Sequence, residues 1–557
     1  MNLTALSILA VLTVPGAVLL RPEAAAAQSC DGLATLRFEN ATINAAQLIT
    51  SGTFDPPGPT PPITSLPPFC RVSLTVAPSI GVEVWLPLTW NERLEAVGGG
   101  GFAGDISWAD LTTALRSGYA TASTDTGHDD LVMPGGSFVL NPDGTLSLQA
   151  VNDFASRSLH EMALKTRALI EAFYGHAPEY AYFSGCSTGG RQGLMAAQRF
   201  PTDYDGILAG APAINFDRFV PAELWPQIVM NQEIGQPIAG SKLAAVTRDA
   251  IAACDDLDGV VDGVIDDPHR CQYDPAESVC QQGEDPTACL TPAEANVVRK
   301  IWEGPMTSGG QRLWFGVERG ASLGLAASDP FGIAVDYYRY WINQDPAFDW
   351  HSLSEAAFAP ELRLSQRKFN AVIGTDDPHL QQFGRAGGKL VIWHGQADQL
   401  IFPRGSINYY ERVLTEGGGA SHVEDYARLF LAPGVDHCGG GVGPNPVDPL
   451  DALIDWVENG VAPDQIAAAK MQGNQVVRTR PLCAYPKQAR WTGTGSTDDA
   501  SNFACVEVPL DPADITVAGP ARRSTLPRLK PPLLRPSSAR IAAPAGPADA
   551  ARGGLGS

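Results

Sequence analysis

The sequence predicts an α/β chain, a parallel sheet with helices on both faces, interrupted by a large inserted domain. Three observations predict it. Strand-like and helix-like segments alternate between residues 72 and 209, and alternation of that kind builds parallel sheets covered by crossover helices. The rhythm stops near Ile214 and resumes at Lys389. Between them lies a stretch of different character, with an Asp-rich loop, four cysteines and many aromatic residues. At 557 residues the chain is long for one compact unit.

In chain order, residues 1–27 read as a cleaved signal peptide. Residues 3–20 are mostly aliphatic, and the alanines 24–27 offer an A-x-A cleavage site before Gln28. No Lys or Arg precedes the apolar run, so an uncleaved membrane anchor is the alternative. Pro15 and Gly16 within the run favour cleavage, which leaves no membrane attachment. Export places the chain in an extracellular or periplasmic space, where its ten cysteines can persist as disulfides.

A Pro-rich loop then lies between Cys30 and Cys70. Residues 72–76 and 82–86 alternate with period two and read as strands. Residues 93–97 read as another, running into Gly98, Gly99, Gly100 and Gly101. From 153 to 174 the apolar positions, Leu159, Met162, Leu169 and Ile170 among them, recur at helical spacing. A short buried strand at 180–184, a helix from about residue 190 to residue 198 and a strand at 206–209 follow. The sheet domain is therefore assigned residues 28–214 and 385–510, with 215–384 as an inserted lid. Residues 511–557, rich in Pro, Ala and Arg without periodicity, read as a disordered tail. Hydrophobic residues at 44% and charged residues at 18% are ordinary for a soluble protein. A net charge of -22 argues against a nucleic-acid partner and suits a bound hard cation.

Gly185-Cys186-Ser187-Thr188-Gly189 fits G-x-S-x-G, with a strand before it and a helix after it. That context marks the nucleophile turn of an α/β-hydrolase fold. A serine hydroxyl needs a base within hydrogen-bond reach, and the base needs an orienting carboxylate. In this fold the carboxylate follows the serine in the chain, and the histidine follows the carboxylate. Asp398, in His394-Gly395-Gln396-Ala397-Asp398, and His437, in Val435-Asp436-His437, satisfy that order. Both fall after predicted strands, at the carboxyl ends where parallel sheets hold their ligands. Of the rival histidines, His394 lies very near Asp398 in the chain and His128 precedes the serine. Backbone N–H groups must stabilise the oxyanion. Thr188 is one candidate donor, and the glycine run supplies the other, Gly100 or Gly101.

Cys186 adjoins Ser187 and Cys438 adjoins His437. A Ser–His pair therefore forces the two cysteines close enough for a disulfide. With the segments 124–128 and 185–190, this Cys-Ser and His-Cys pairing resembles the tannase/feruloyl esterase family over roughly Cys30 to Cys505. That family includes bacterial mono(hydroxyethyl) terephthalate hydrolase. The resemblance implies four further bridges: Cys30–Cys70, Cys254–Cys271, Cys280–Cys289 and Cys483–Cys505. Residues 254–264 crowd carboxylates onto a glycine-punctuated loop, which a cation would neutralise. By the resemblance the ion is a structural Ca²⁺, held by Asp255, Asp258, Asp262 and the carbonyls of Val260 and Val264. No organic cofactor is expected.

What the resemblance implies is a serine carboxylesterase forming an acyl-enzyme with an aromatic acid. Its substrate would be a small aromatic ester or a polysaccharide or polyphenol ester of plant origin. Feruloyl esters are the first expectation, galloyl esters the second and terephthalate monoesters the third. Aromatic residues from Trp302 to Phe358, including Trp314, Phe315, Tyr337 and Trp341, would line such a lid or form its core. An alternative of another class is a catalytically silent, calcium-stabilised secreted binding protein.

Overall fold

Nine strands form one mixed sheet in the computed structural model, which describes residues 27–518 apart from Ser328. They are β1 (Ala41–Ile49), β2 (Phe69–Val76), β3 (Ile80–Pro87), β4 (Arg93–Val97) and β5 (Ala120–Thr124). Then follow β6 (Tyr180–Cys186), β7 (Gly206–Gly210), β8 (Lys389–Gly395) and β9 (Ala427–Ala432). Across the sheet they stand in the order β1-β2-β3-β5-β4-β6-β7-β8-β9. The sheet is not wholly parallel as the alternation implied. β1–β2, β2–β3 and β3–β5 pair antiparallel, and every pairing from β5–β4 to β8–β9 is parallel. The physical reason is loop length: residues 77–79 can turn a hairpin but cannot carry a crossover.

The parallel strands are joined through helices α1 (Trp108–Arg116), α2 (Ser158–Tyr174) and α3 (Thr188–Arg199). The chain leaves the sheet after β7 for α4 (Phe216–Ala222), α5 (Trp225–Glu233), α6 (Gly240–Cys254) and α7 (Glu355–Ile373). It returns through β8, α8 (Arg404–Glu416), β9 and α9 (Pro449–Asn459) to two antiparallel hairpins, one of β10 (Gln465–Gln472) and β11 (Gln475–Cys483) and one of β12 (Lys487–Trp491) and β13 (Phe503–Glu507). Strand periodicity sorts the two faces. Leu390 and Ile392 of β8 pack with Leu194 of α3 and Tyr410 of α8, whereas Val391 and Trp393 pack with Leu453 and Trp456 of α9. Burial on both faces is what a covered parallel sheet demands of a run such as Leu390-Val391-Ile392-Trp393.

The insert has its own core, in which Trp302, Trp314, Phe315, Tyr337, Tyr338, Trp341 and Phe358 are buried. These aromatics hold the insert together and do not line an open lid. Two boundaries move, and the two cores share residues. Leu380 and Phe383, assigned with the insert, pack in the sheet's core, while Phe102, Phe138 and Phe154 from the sheet segments join the insert's core. Residues 511–518, assigned to the tail, are held by Arg312 on the carbonyls of Ala513 and Asp514 and by Asn408 on Ile515. The proposed signal peptide, but for Ala27, and the tail beyond 518 lie outside the described residues.

Candidate active site

β6 ends at Cys186 and α3 begins at Thr188, so Ser187 makes the turn alone. Its backbone lies at φ 63° and ψ -125°, a conformation that costs a non-glycine residue about 1–3 kcal/mol and persists only when its surroundings enforce it. They do so here. A Cβ at Gly190 would stand 2.4 Å from the Gly210 carbonyl oxygen, and one at Gly185 would stand 2.7 Å from the Gly189 backbone. Ser187 N–H donates to Gly210 and its carbonyl accepts from Ala213, each at 3.0 Å. The hydroxyl is thereby left in a half-buried position at the carboxyl edge of the sheet.

Asp398 follows β8 and His437 follows the neighbouring β9. The structure brings the two together, with His437 Nδ1 2.7 Å from Asp398 Oδ2. Asp398 is fully buried, and its Oδ1 accepts from the N–H groups of Leu400 and Ile401, each at 2.8 Å. Burial pushes its carboxyl up, but the bonds from His394 and His437 outweigh that and hold it at about 2. With its folded value below the unfolded one, Asp398 adds stability above about pH 4, which is lost as pH falls through 2. It therefore stays ionised across the range in which a neutral histidine can act as a base.

His394 is the partner that sequence reasoning set aside for its closeness in the chain. Its ring is fully buried, with Nε2 3.1 Å from Asp398 Oδ2 and 2.8 Å from the Ile401 carbonyl oxygen. Two acceptors on Nε2 require it to carry the proton, so Nδ1 accepts from Ser406 Oγ at 2.8 Å. The four-residue spacing of His394-Gly395-Gln396-Ala397-Asp398 was the available signal. His128 does not approach this network: it is buried, stacked on Phe138 at a centroid distance of 3.7 Å, and burial pulls its imidazolium down to about 4.

The glycine run divides in two. Gly98 and Gly99 are buried and donate to the Ser184 carbonyl and to Gln192 Oε1. Gly100 is exposed and Gly101 half-exposed, and their N–H groups have no acceptor among the described residues. Thr188 Oγ1 donates to the Gly101 carbonyl at 2.5 Å, tying this loop to the start of α3. At a helix N-terminus the Thr188 N–H has no intrahelical acceptor. The unpaired N–H groups of Thr188, Gly100 and Gly101 thus belong to two segments tied together next to Ser187, and backbone donors of this kind are what a developing oxyanion needs.

Five disulfides are present: Cys30–Cys70, Cys186–Cys438, Cys254–Cys271, Cys280–Cys289 and Cys483–Cys505. Cys186–Cys438 spans a separation of 252 residues and locks the His437 loop to the Ser187 turn, with Cys438 Sγ 3.6 Å from His437 Nε2. Replacing both cysteines by serine should weaken folding by about 5–6 kcal/mol on the loop-entropy account. It should also lower kcat by about 10²-fold through misplacement of the base. Equilibrium unfolding and kcat of the folded fraction check this; undiminished kcat would show that the bridge serves stability alone.

In the Asp-rich loop, the buried Asp255 carboxylate accepts from the N–H groups of Asp262, Gly263 and Val264. Asp258 accepts from Val260 N–H, and Asp262 pairs with Arg478 and Arg480 of β11. Burial, then repulsion from Asp258, pushes the nearby Asp266 carboxyl well above its usual range. Among the described residues no three His, Cys, Asp or Glu side chains form a compact metal group. An all-oxygen set completed by the Val260 and Val264 carbonyls still fits a hard cation, and the crowding of carboxylates is what a cation would relieve.

The chain matches a family model described as tannase and feruloyl esterase over residues 66–336 and 326–506. It is 40% identical over 478 residues to a probable feruloyl esterase of Arthroderma benhamiae, covering 81% of this chain and 88% of that one. The crystal structure of feruloyl esterase B from Aspergillus oryzae superposes with a TM-score of 0.77 at 30% identity, covering 86% of this chain and 99% of that one. Tannin acyl hydrolase from Aspergillus niger gives a TM-score of 0.73 at 26% identity, over 86% of this chain and 93% of that one.

Proposed function

Because this chain belongs to the tannase and feruloyl esterase family, and is a carboxylic ester hydrolase, we propose that it is a secreted esterase cleaving hydroxycinnamoyl esters by a Ser187–His437–Asp398 triad. The observation that carries the reading is the joining of two elements by one bridge. Cys186–Cys438 links the strained Ser187 turn to a histidine already bonded to a buried carboxylate. Ser187 Oγ attacks the ester carbonyl carbon while His437 Nε2 takes its proton. The N–H groups of Thr188 and of Gly100 or Gly101 hold the oxyanion. The proton then passes to the departing alcohol, and water, deprotonated in turn by His437, releases the acid and restores Ser187.

Hydrolysis of methyl ferulate, methyl gallate and a terephthalate monoester tests this, with ferulate expected to be preferred. A gallate preference would move the chain to the galloyl branch of the same chemistry. No turnover of any of them, together with no fluorophosphonate labelling of Ser187, would leave the silent binding protein in its place. Export is supported by the five disulfides, and among the described residues no helix is long and apolar enough to cross a membrane.

Calcium, when bound by Asp255, Asp258, Asp262 and the carbonyls of Val260 and Val264, would supply charge neutralisation to the loop. It takes no part in acyl transfer. Arg478 and Arg480 tether the loop to β11, so its effect is on stability. Chelation by EDTA should lower Tm by about 5 °C, reversed by added Ca²⁺ and absent in Asp258→Asn. A Tm indifferent to both would remove the ion from the account.

A further inference from the structure

Gln192 stands in the second turn of α3 and is 1% exposed. Its Oε1 accepts from Gly99 N–H at 3.0 Å, and its Nε2 has no partner among the described residues. A buried amide with one end unpaired is costly, and an apolar side chain of the same length would fill the space without that loss. What the amide adds over such a side chain is a single bond, to the glycine loop. Without it the Gly99 N–H would be an orphaned buried donor.

Consecutive glycines are the least restricted backbone a chain can carry, yet this run is pinned along its length. Gly98 donates to the Ser184 carbonyl at 2.9 Å, and its own carbonyl accepts from Ser107 Oγ at 2.7 Å. Ser107 is fixed in turn by its N–H, which donates to Ser123 Oγ of β5 at 3.0 Å. The Gly100 carbonyl accepts from Ala103 N–H, and the Gly101 carbonyl from Thr188 Oγ1. Gly98 also lies directly on α3: a Cβ there would stand 2.4 Å from Gly189 Cα. The N–H groups of the run left without an acceptor among the described residues are those of Gly100 and Gly101, next in the chain to the one that Gln192 holds.

We propose that Gln192 is a positioning residue for acyl transfer: its amide oxygen, with the Ser107 hydroxyl, fixes the glycine loop so that the Gly100 and Gly101 N–H groups are pre-set for the oxyanion. The inference rests on the triad reading above and deepens it. Donors stabilise a developing charge best when they need no rearrangement at the moment it forms. A displacement of about 1 Å can cost about 10²-fold in rate. Gln192 lies on the helix that starts beside Ser187, so one rigid element sets both the nucleophile turn and the loop. It acts through Gly99 and not by touching the reacting atoms.

The test is hydrolysis of p-nitrophenyl butyrate, with kcat taken per site labelled by a fluorophosphonate, and inhibition by an alkyl trifluoromethyl ketone, whose adduct with Ser187 Oγ carries an oxyanion. Gln192→Met keeps the length and removes the acceptor. It should lower kcat by about 10–100-fold, leave KM little changed and weaken the ketone by the same factor. Gln192→Glu keeps an acceptor for Gly99 N–H and should restore most of both. Ser107→Ala should show the same pattern more weakly, and gives a second reading should Gln192→Met fail to fold. A merely structural role would lower the number of labelled sites and leave kcat per site and ketone affinity as in wild type; that result overturns the positioning role. Equal losses in Gln192→Met and Gln192→Glu, or a fall in kcat with ketone affinity unchanged, overturn it too. No cleavage by the wild type, together with no labelling of Ser187, overturns the triad reading and this inference with it.

Discussion

Ser187→Ala is expected to lower kcat on methyl ferulate by about 10⁴–10⁶-fold while leaving the fold intact. The expectation of an intact fold comes from the backbone. The bonds recorded for Ser187 are those of its main chain, to Gly210, Ala213 and Arg191. Alanine keeps all of them and has the same Cβ to carry through φ 63°. The strain of the turn is unchanged, because the glycines around it do the enforcing. The rest of the site is untouched by the change, so KM should move little and residual turnover should come from the backbone donors alone. Equal Tm with kcat reduced to that residue is the expected pair of measurements. Turnover within tenfold of wild type would move the nucleophile elsewhere.

How far this site was legible depended on which of its parts leave a trace in the chain. The parallel strands read clearly where bulky residues fill them, as in Leu390-Val391-Ile392-Trp393, buried on both faces. β5 did not, because Ala120-Thr121-Ala122-Ser123-Thr124 is fully buried yet built of small side chains that give no hydrophobic period. β1, at the sheet's edge, is half exposed along most of its length and carries an irregular pattern with a shift in register after Ile43. Ser187, Asp398 and His437 were singled out by the G-x-S-x-G turn and by chain order, since a fold with fixed strand order fixes which strand ends meet, and the structure puts Asp398 and His437 in contact. The Cys186–Cys438 pairing followed from them. Glu223 was not legible, because a single carboxyl between two helices is unremarkable until its burial is seen. The aromatic run from Trp302 was visible but not assignable: Trp341 and Phe331 look alike in sequence, yet the first is fully buried core and the second only half-buried.

Asp398→Asn should cost about 10⁴-fold in kcat, through hydrogen-bond direction and not through shape. Every neighbour of this carboxylate is a donor. Leu400 and Ile401 give their N–H groups to Oδ1, and His437 Nδ1 and His394 Nε2 lie on Oδ2. An asparagine has one acceptor end and one donor end, so one pair must lose. If the amide NH₂ faces the two histidines, it can be satisfied only by a bare His437 Nδ1. The ring's proton then sits on Nε2, the atom that must receive the serine proton, and the base is blocked. His394 cannot relieve the conflict, because its Nε2 proton is also held by the Ile401 carbonyl. If the amide is turned round, two backbone N–H groups face a donor in a fully buried site, a loss of about 1–3 kcal/mol of stability for each group left unpaired. The variant should therefore show either a folded enzyme with the wrong tautomer or a weakened loop. The ¹⁵N shifts of the His437 ring and Tm tell the two apart. His394→Phe separates the second histidine's share: kcat should fall by about 10–100-fold with KM little changed, as expected of a residue that acts only by positioning Asp398. Full activity in His394→Phe would mean that His437, Leu400 and Ile401 orient the carboxylate unaided.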